Sequence, residues 1–233
     1  MLRTKSVEEG TLDLIRRFMS DEKFNEFNLV DGTALALMIG HRKSIDIDLF
    51  SGTAFNAVEL ASHLTANYKA TEVRPLNNAV FCKAEMVKID LIAHQFPLVG
   101  EIEHMEGIRM VSLLDLGAMK LNAIYKSGTR LKDFVDMYSL LEKYPLNQML
   151  DACRKKYSES NIDMVKKSLV YHHDIIFMPI QYLKAEVKWP AIAERLQNAW
   201  RHPDMLFDMV QKATKQQEQK ASDNRGRRKG LGL

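Results

Sequence analysis

The sequence predicts an α/β (α+β) amino-terminal half with a small mixed sheet, followed by an all-helical carboxyl-terminal half. Short apolar runs with strand-like alternation occur only before about residue 110. After that point apolar residues recur at helical spacing. From residue 212 the chain is polar and basic. We therefore predict a first domain over residues 1–110, a helical domain over 111–211 and a polar, basic tail over 212–233.

In the first half, the predicted elements alternate between helices and strands. The predicted helices cover residues 6–20, 33–39 and 58–68, and the predicted strands cover residues 27–30, 45–50 and two segments within 71–94. Thr33 is expected near the amino-terminal cap of its helix, because hydroxyl side chains accept hydrogen bonds from free N–H groups there. Gly40 is expected to end that helix in a left-handed conformation.

The second half contains only predicted helices. They cover residues 112–125, 129–144, 146–157, 161–172 and 190–200. Ser112 and Asp115 have the spacing of a capping box, which marks the start of the first of these helices. Pro145 stops the second, because the residue before a proline disfavours helical geometry.

The bulk properties fit a globular protein of the reducing cytoplasm. The net charge of +3 over 233 residues neither demands nor excludes a nucleic-acid partner. The 2 cysteines lie far apart and do not form a disulfide framework. The first residues do not resemble a secretory signal, and no run of about 18 apolar residues occurs. We therefore expect a cytoplasmic protein without a membrane partner.

Two aspartates on one predicted strand are the first candidates for chemistry. Asp46 and Asp48 are two residues apart, so their side chains share one face of the strand. Ile45, Ile47 and Leu49 are expected to point the other way, into the core. Two carboxylates held this close repel each other unless a cation lies between them. Ordinary surface strands also alternate Asp with Ile, and that alternative stays open.

Asp90 lies in a second apolar run, residues 87–92, where an unpartnered charge would be costly to bury. If this run neighbours the strand with Asp46 and Asp48, three carboxylates could bind two Mg²⁺ ions, or Mn²⁺, about 4 Å apart. That arrangement suits the in-line displacement of a phosphoryl group. The alternative for Asp90 is a solvated position on an edge strand.

The turn at Asp31, Gly32 and Thr33 is a candidate phosphate site, because it joins a predicted strand to a helix. Glycine allows close approach of the backbone, and free N–H groups at a helix start favour anions. Arg42 and Ser44, just before the strand with the aspartates, could add donors to phosphate. Taken alone, a Gly-Thr pair before a helix is usually just a cap.

These segments together resemble the AbiEii/AbiGii toxin family, within the DNA polymerase β-like nucleotidyltransferase superfamily. The resemblance is carried by residues 32–37, 40–42, 44, 46–50, 115–121 and 132–138, and it spans roughly residues 10–145. It implies a nucleotidyltransferase fold with a helical second half.

The resemblance also implies a role for each matching residue. Asp46 and Asp48 would be metal ligands, Gly32 and Thr33 the nucleotide-phosphate turn, Lys120 a group reaching toward the triphosphate, and Asp133 or Asp136 a support for Lys120 or for the base side. Independently, Asp133 and Asp136 are three residues apart and share one helix face. The alternative for that pair is a solvated charged face.

The implied activity is metal-dependent transfer of a nucleoside monophosphate from an NTP to an acceptor. RNA, in particular tRNA, is the first choice of acceptor and a protein hydroxyl the second. The resemblance further implies the toxin of a toxin–antitoxin or phage-defence system, with a cognate antitoxin. The alternative is a catalytically impaired module that binds nucleotide, RNA or a partner protein. Asp31 motivates it, because the family usually has a small residue there and a carboxylate repels phosphates unless it points away or meets a metal.

Overall fold

The computed structural model describes residues 1–208, which fold around a seven-stranded mixed sheet. The helices are α1 (Glu9–Ser20), α2 (Asp31–Ile39), α3 (Ala57–Tyr68), α4 (Leu113–Lys126), α5 (Leu131–Leu140), α6 (Leu146–Lys156), α7 (Ile162–Ser168) and α8 (Trp189–Arg201). The strands are β1 (Phe27–Leu29), β2 (Ile47–Ser51), β3 (Thr71–Leu76), β4 (Ala79–Ala84), β5 (Val87–Ala93), β6 (Glu103–Met105) and β7 (Ile108–Met110). The strand order is β3-β4-β5-β2-β1-β7-β6. This confirms the predicted α/β half followed by helices; the predicted tail, residues 212–233, lies outside the described residues.

One hydrophobic core joins the sheet to the helical half. The cluster of buried apolar side chains runs from Leu2 to Phe207 without a break at the connection between β7 and α4. Helix α4 packs against α2, α5 and α6, so it links the first helix after β1 to the rest of the helical half. The predicted boundary near residue 110 therefore falls at a change of secondary structure that lies over a shared core.

No helix within residues 1–208 combines the length and apolar character needed to cross a membrane.

Three details of the sheet differ from the sequence prediction. Residues 71–94 hold three strands rather than two, because β3 is an exposed edge strand without a clear apolar face. The hairpin of β6 and β7 was not predicted, since both strands have three residues and their charged positions indicated a solvated loop. Ile45 is 64% exposed instead of pointing into the core, because β2 begins only at Ile47.

Helix boundaries also differ in two places. Helix α2 begins at Asp31, so Thr33 lies inside its first turn rather than at the cap. Gly40 ends α2 in the left-handed conformation, with φ of 63°, as predicted. Helix α5 ends at Leu140 instead of continuing to Tyr144, and a tight turn leads to Pro145. The predicted cap at Ser112 is confirmed: its side chain accepts a hydrogen bond from the Asp115 N–H, and its hydroxyl donates to Asp115 Oδ2.

Candidate active site

The aspartates on β2 and β5 lie side by side because these two strands pair in parallel. In this pairing Asp48 is the register partner of Asp90. Register partners on neighbouring strands point to the same face of a sheet, about 4.8 Å apart. The apolar neighbours Ile47 and Leu49 are fully buried on the opposite face. The structure thus brings together the two strands that the sequence left separate, and Asp46 lies directly before β2.

The three carboxylates differ in their surroundings. Burial and the nearby charges of Asp31 and Asp90 raise the pKa of Asp48 to about 7. Asp90 Oδ2 accepts a hydrogen bond of 2.6 Å from Lys88 Nζ, whereas its Oδ1 is buried without a hydrogen-bond partner. Asp46 Oδ2 lies 3.6 Å from Lys132 Nζ. Repelling carboxylates and a partnerless buried oxygen both indicate a site whose charge is balanced by a cation.

The donor set of this site suits Mg²⁺ or Mn²⁺, which prefer carboxylate oxygens. As they stand, no three His, Cys, Asp or Glu side chains within residues 1–208 form a ready metal cluster. Lys88 and Lys132 form ion pairs with Asp90 and Asp46, so a metal ion bound here would compete with both ammonium groups. The unsatisfied Oδ1 of Asp90 is the observation that fits a metal ion.

The predicted phosphate turn is locked to the entrance of β2 by buried hydrogen bonds. Thr33 Oγ1 donates to the Asp46 carbonyl, and it lies 2.9 Å from Ser44 Oγ. A Cβ added at Gly32 would lie 2.5 Å from Arg42 Nη2, so only glycine permits this contact. In this structure the side chains predicted to contact phosphate therefore hold α2 against the segment that leads into β2.

Behind this turn lies a buried set of charged side chains, which we call the polar cluster: Asp31, His41, Arg42, Lys120, Asp133 and Asp136. Asp136 is its centre. It accepts hydrogen bonds from Arg42 Nε at 2.6 Å and Arg42 Nη2 at 2.9 Å, and its Oδ1 lies 2.7 Å from His41 Nε2. Lys120 Nζ lies 2.9 Å from both Asp133 and Asp136 and forms a further ion pair with Asp31. Four separate segments of the chain therefore meet in one network.

The charges of the polar cluster balance. Although burial alone would raise it, the charges of Arg42 and Lys120 hold the pKa of Asp136 well below its usual value. Burial lowers the pKa of His41 despite its contact with Asp136, so this imidazole is neutral at pH 7. Three carboxylates are then offset by Arg42, Lys120 and, at the rim, Arg130, which bonds Asp133.

The contacts of the polar cluster bear on the predictions made for Asp31, Lys120, Asp133 and Asp136. Asp133 and Asp136 are 2% and 0% exposed, which excludes the solvated charged face considered for them. Asp31 meets Lys120 rather than a metal, and this ion pair lowers the pKa of its carboxyl although burial alone would raise it. Lys120 is fully buried among its three carboxylates. Its expected reach toward a triphosphate stays a prediction, and in the structure Asp31, Asp133 and Asp136 hold its ammonium group.

A cleft of about 540 Å³ opens beside Arg42 and Ser44, the side chains that contact Gly32 and Thr33 of the phosphate turn. Its polar lining includes Ser44 and Asp46 on one wall and Arg130 and Lys132 on another. The third wall is the segment 176–181, which contributes mainly apolar side chains. Backbone hydrogen bonds fix this segment: the Ile176 N–H donates to the Thr129 carbonyl, and the Lys43 N–H donates to the Gln181 carbonyl.

Three residues of the site were not assigned from sequence. His41 lies in the polar turn before β2, and only its position beside Arg42 pointed to the site. Arg130 could have been found from its spacing to Asp133, three residues later at the start of a helix. Lys132 directly precedes Asp133 in the sequence, and its ammonium group lies near Asp46.

The chain is similar to known proteins in both sequence and fold. A family model described as nucleotidyl transferase AbiEii toxin, type IV TA system, matches residues 13–207. An uncharacterized protein from Aquifex aeolicus (strain VF5) is 28% identical over 156 residues, 64% of this chain and 75% of that protein. A crystal structure from H. pylori described as a nucleotidyltransferase has 18% identity and a TM-score of 0.51, over 84% of this chain and 96% of its own. That of JHP933 from Helicobacter pylori has 14% identity and a TM-score of 0.46, over 92% and 100%. The first of these two structures shares the fold, which confirms the predicted nucleotidyltransferase fold.

Proposed function

Since the chain belongs to the AbiEii nucleotidyltransferase family, we propose that this nucleotidyltransferase moves a nucleoside monophosphate from an NTP to RNA, and to tRNA in particular. Mg²⁺ or Mn²⁺ assists, held by Asp46, Asp48 and Asp90. The protein acts as the toxin of a toxin–antitoxin system that also encodes its antitoxin, with phage defence as the cellular role and the cytoplasm as its location. The family description supports the toxin assignment.

One observation carries the metal-dependent part of this proposal. Asp48 and Asp90 are register partners on parallel strands, and Asp90 Oδ1 is buried without a hydrogen-bond partner. Burying a carboxylate oxygen without a hydrogen-bond donor costs on the order of 1–3 kcal/mol. A bound cation would offset this cost. A divalent ion bound by Asp46, Asp48 and Asp90 would give that oxygen a partner, neutralise charge on the phosphates and lower the pKa of the attacking hydroxyl.

The chemical step is an in-line displacement. The acceptor hydroxyl oxygen attacks the α-phosphorus of the NTP, the bond from that phosphorus to the bridging oxygen of the β-phosphate breaks, and the hydroxyl proton leaves to water. The products are the nucleotidylated acceptor and pyrophosphate. The chain contributes orientation and charge, which are the main sources of rate enhancement in phosphoryl transfer.

We assign the cleft of about 540 Å³ to the NTP. Its volume is in the usual range for small-molecule sites. Arg130 and Lys132 line it and offer positive charge to the triphosphate, near Ser44. Lys120 acts as a positioning residue through Asp31.

The remaining members of the polar cluster are positioning residues as well. Asp133 and Asp136 hold Lys120 and Arg42, and Arg42 lies against the backbone of Gly32. Thr33 then ties the turn to Asp46. This chain of contacts sets the distance between the phosphate turn and the metal ligands.

The experiment is transfer of label from each α-labelled NTP to total tRNA, with Mg²⁺ or Mn²⁺. The wild type is compared with the Asp46→Ala/Asp48→Ala double variant and with Asp13→Asn, an exposed aspartate of α1, as the matched control. We expect label in RNA with the wild type and Asp13→Asn only. Label on protein would change the acceptor to a protein hydroxyl. Transfer that survives in the double variant would refute the mechanism, and nucleotide binding without any transfer would favour the impaired binding module.

A further inference from the structure

The row of carboxylates continues across the sheet into a row of other side chains. Asp48 on β2 is the register partner of Asp90 on β5, Asp90 is that of Phe81 on β4, and Phe81 is that of Arg74 on β3. Register partners share a face, so these four side chains stand in line from the site to the sheet edge. The Arg74 guanidinium lies over the Phe81 ring, 5.9 Å from its centroid.

A second row lies beside the first. Lys88 precedes Asp90 by two residues on β5, and its register partner on β4 is Lys83. Lys88 bonds Asp90 at 2.6 Å, and Lys83 forms an exposed ion pair with Glu72 at 2.8 Å. The exposed pair of Lys83 with Glu72 contributes little and exchanges readily, so that ammonium group remains available to other anions. The Lys88 side chain is 52% exposed although its partner Asp90 is 15% exposed, so its ammonium group also reaches solvent on this face.

This face of the sheet is open, whereas the other face is the core. The alternate residues Val80, Cys82 and Ile89 are buried, and α3 packs against β3 and β4. On the open face Arg74, Lys83 and Lys88 are exposed, and Phe81 is half-buried. An aromatic ring stacked under a guanidinium, flanked by two lysines, is the combination that binds bases and phosphates of a single strand.

We propose that these four residues, Arg74, Phe81, Lys83 and Lys88, form the acceptor face, which binds the single-stranded end of the RNA acceptor. The inference rests on the proposed function, because it identifies where the acceptor of that reaction lies. Phe81 stacks on a base near the acceptor hydroxyl, and the cations contact the phosphates on either side of it. With strands about 4.8 Å apart, Phe81 lies about 10 Å from Asp48, close enough to deliver the hydroxyl to the metal ligands.

The arrangement of the site favours RNA on this face and the NTP elsewhere. Arg42 and Ser44 line the cleft and also contact Gly32 and Thr33 of the phosphate turn, so the cleft serves the donor nucleotide. The acceptor oxygen of an in-line displacement must approach from the side opposite the leaving pyrophosphate. The acceptor face is continuous with Asp90 on β5, away from the turn on α2, and it carries the positive charge that an RNA strand requires.

The test measures RNA binding without chemistry. In an Asp48→Asn background, a fluorescent single-stranded oligoribonucleotide is titrated and its anisotropy followed over a range of salt concentrations. Phe81→Ala should weaken oligonucleotide binding about tenfold or more, because alanine removes the ring that stacks on a base. Phe81→Tyr should bind as the parent does, because tyrosine keeps the aromatic ring. Arg74→Gln/Lys83→Gln, at exposed positions, should lower the slope of log K against log salt by about 1.4. Lys155→Gln on α6 removes one exposed positive charge outside the acceptor face and should bind as the parent does.

The outcomes separate this inference from the proposed function. Weaker binding by the acceptor-face variants, with unchanged NTP binding, supports the proposal. Unchanged oligonucleotide binding by Arg74→Gln/Lys83→Gln would overturn it, even where the wild type transfers nucleotides to RNA and the proposed function stands. An equal loss in Lys155→Gln would also overturn it, since the contact would then be nonspecific. A deoxyoligonucleotide bound equally well would show that the face reads bases and phosphates and not the 2′-hydroxyl.

Discussion

Gly32→Ala should destabilise the protein and disturb the site, although alanine is the better helix former. The added Cβ would lie 2.5 Å from Arg42 Nη2 and 3.3 Å from Ser44 Oγ, whereas ordinary contacts begin at about 3.4 Å. The guanidinium must therefore move by roughly 1 Å. It has little room, because Arg42 is buried and Nη2 donates to Asp136 at 2.9 Å. Losing one hydrogen bond to a charged group costs about 1.5–3 kcal/mol.

The matched control is Gly10→Ala, at the second residue of α1, where nothing lies within 4 Å of an added Cβ. That change should stabilise the protein by roughly 0.5–1 kcal/mol, since alanine lowers the entropy of the unfolded chain. Urea denaturation with a shared m-value measures both free energies of unfolding. A Gly32→Ala protein as stable as Gly10→Ala would refute the close approach of Arg42 to the turn.

Four further predictions concern the cap, the polar cluster and the metal ligands. Lys120→Met should lower the free energy of unfolding by about 3–5 kcal/mol, because it leaves buried carboxylates without their shared partner; urea denaturation checks this, and a loss under 1 kcal/mol would contradict it. The rise in melting temperature caused by Mg²⁺ should grow as the pH increases from 6 to 8, since the pKa of Asp48 is raised to about 7 and the proton competes with the ion below that value; a pH-independent shift, or the same trend in Asp48→Asn, would speak against this. Lys88→Met should tighten Mn²⁺ binding in calorimetry, because the ammonium group no longer occupies Asp90; weaker binding would show that Lys88 does not compete. Ser112→Ala should cost about 1 kcal/mol in the same urea experiment, as loss of a helix cap does, and an unchanged midpoint would mean that the cap contributes nothing.

Much of the amino-terminal half could be predicted because its signals are local. The alternation around Asp46 and Asp48 is visible within a few residues, although β2 begins only at Ile47, and the left-handed Gly40 follows from its place at a helix end. The short strands β6 and β7 could not be found in this way. Three residues are too few for a periodic pattern, and the pairing of β7 with β1 depends on a distant segment.

The site was harder to predict where its contacts are long-range. The family resemblance placed Lys120 and Asp136 in the site. It did not predict that Lys120 is fully buried. Its burial depends on Asp31, 89 positions earlier in the chain, which pairs with its ammonium group. The same contact explains why a carboxylate is accepted beside a predicted phosphate turn. Sequence showed the charge at residue 31, and only the fold shows its partner.

The polar cluster also determines when the site can form during synthesis. Arg42 is fixed by Asp136, and the turn that follows Gly40 is further held by backbone hydrogen bonds to the segment 181–183. A nascent chain that has released only its first strands from the ribosome therefore has the aspartates but not the geometry that positions them. The contacts that hold this turn can therefore form only after residues 136 and 181–183 have left the ribosome.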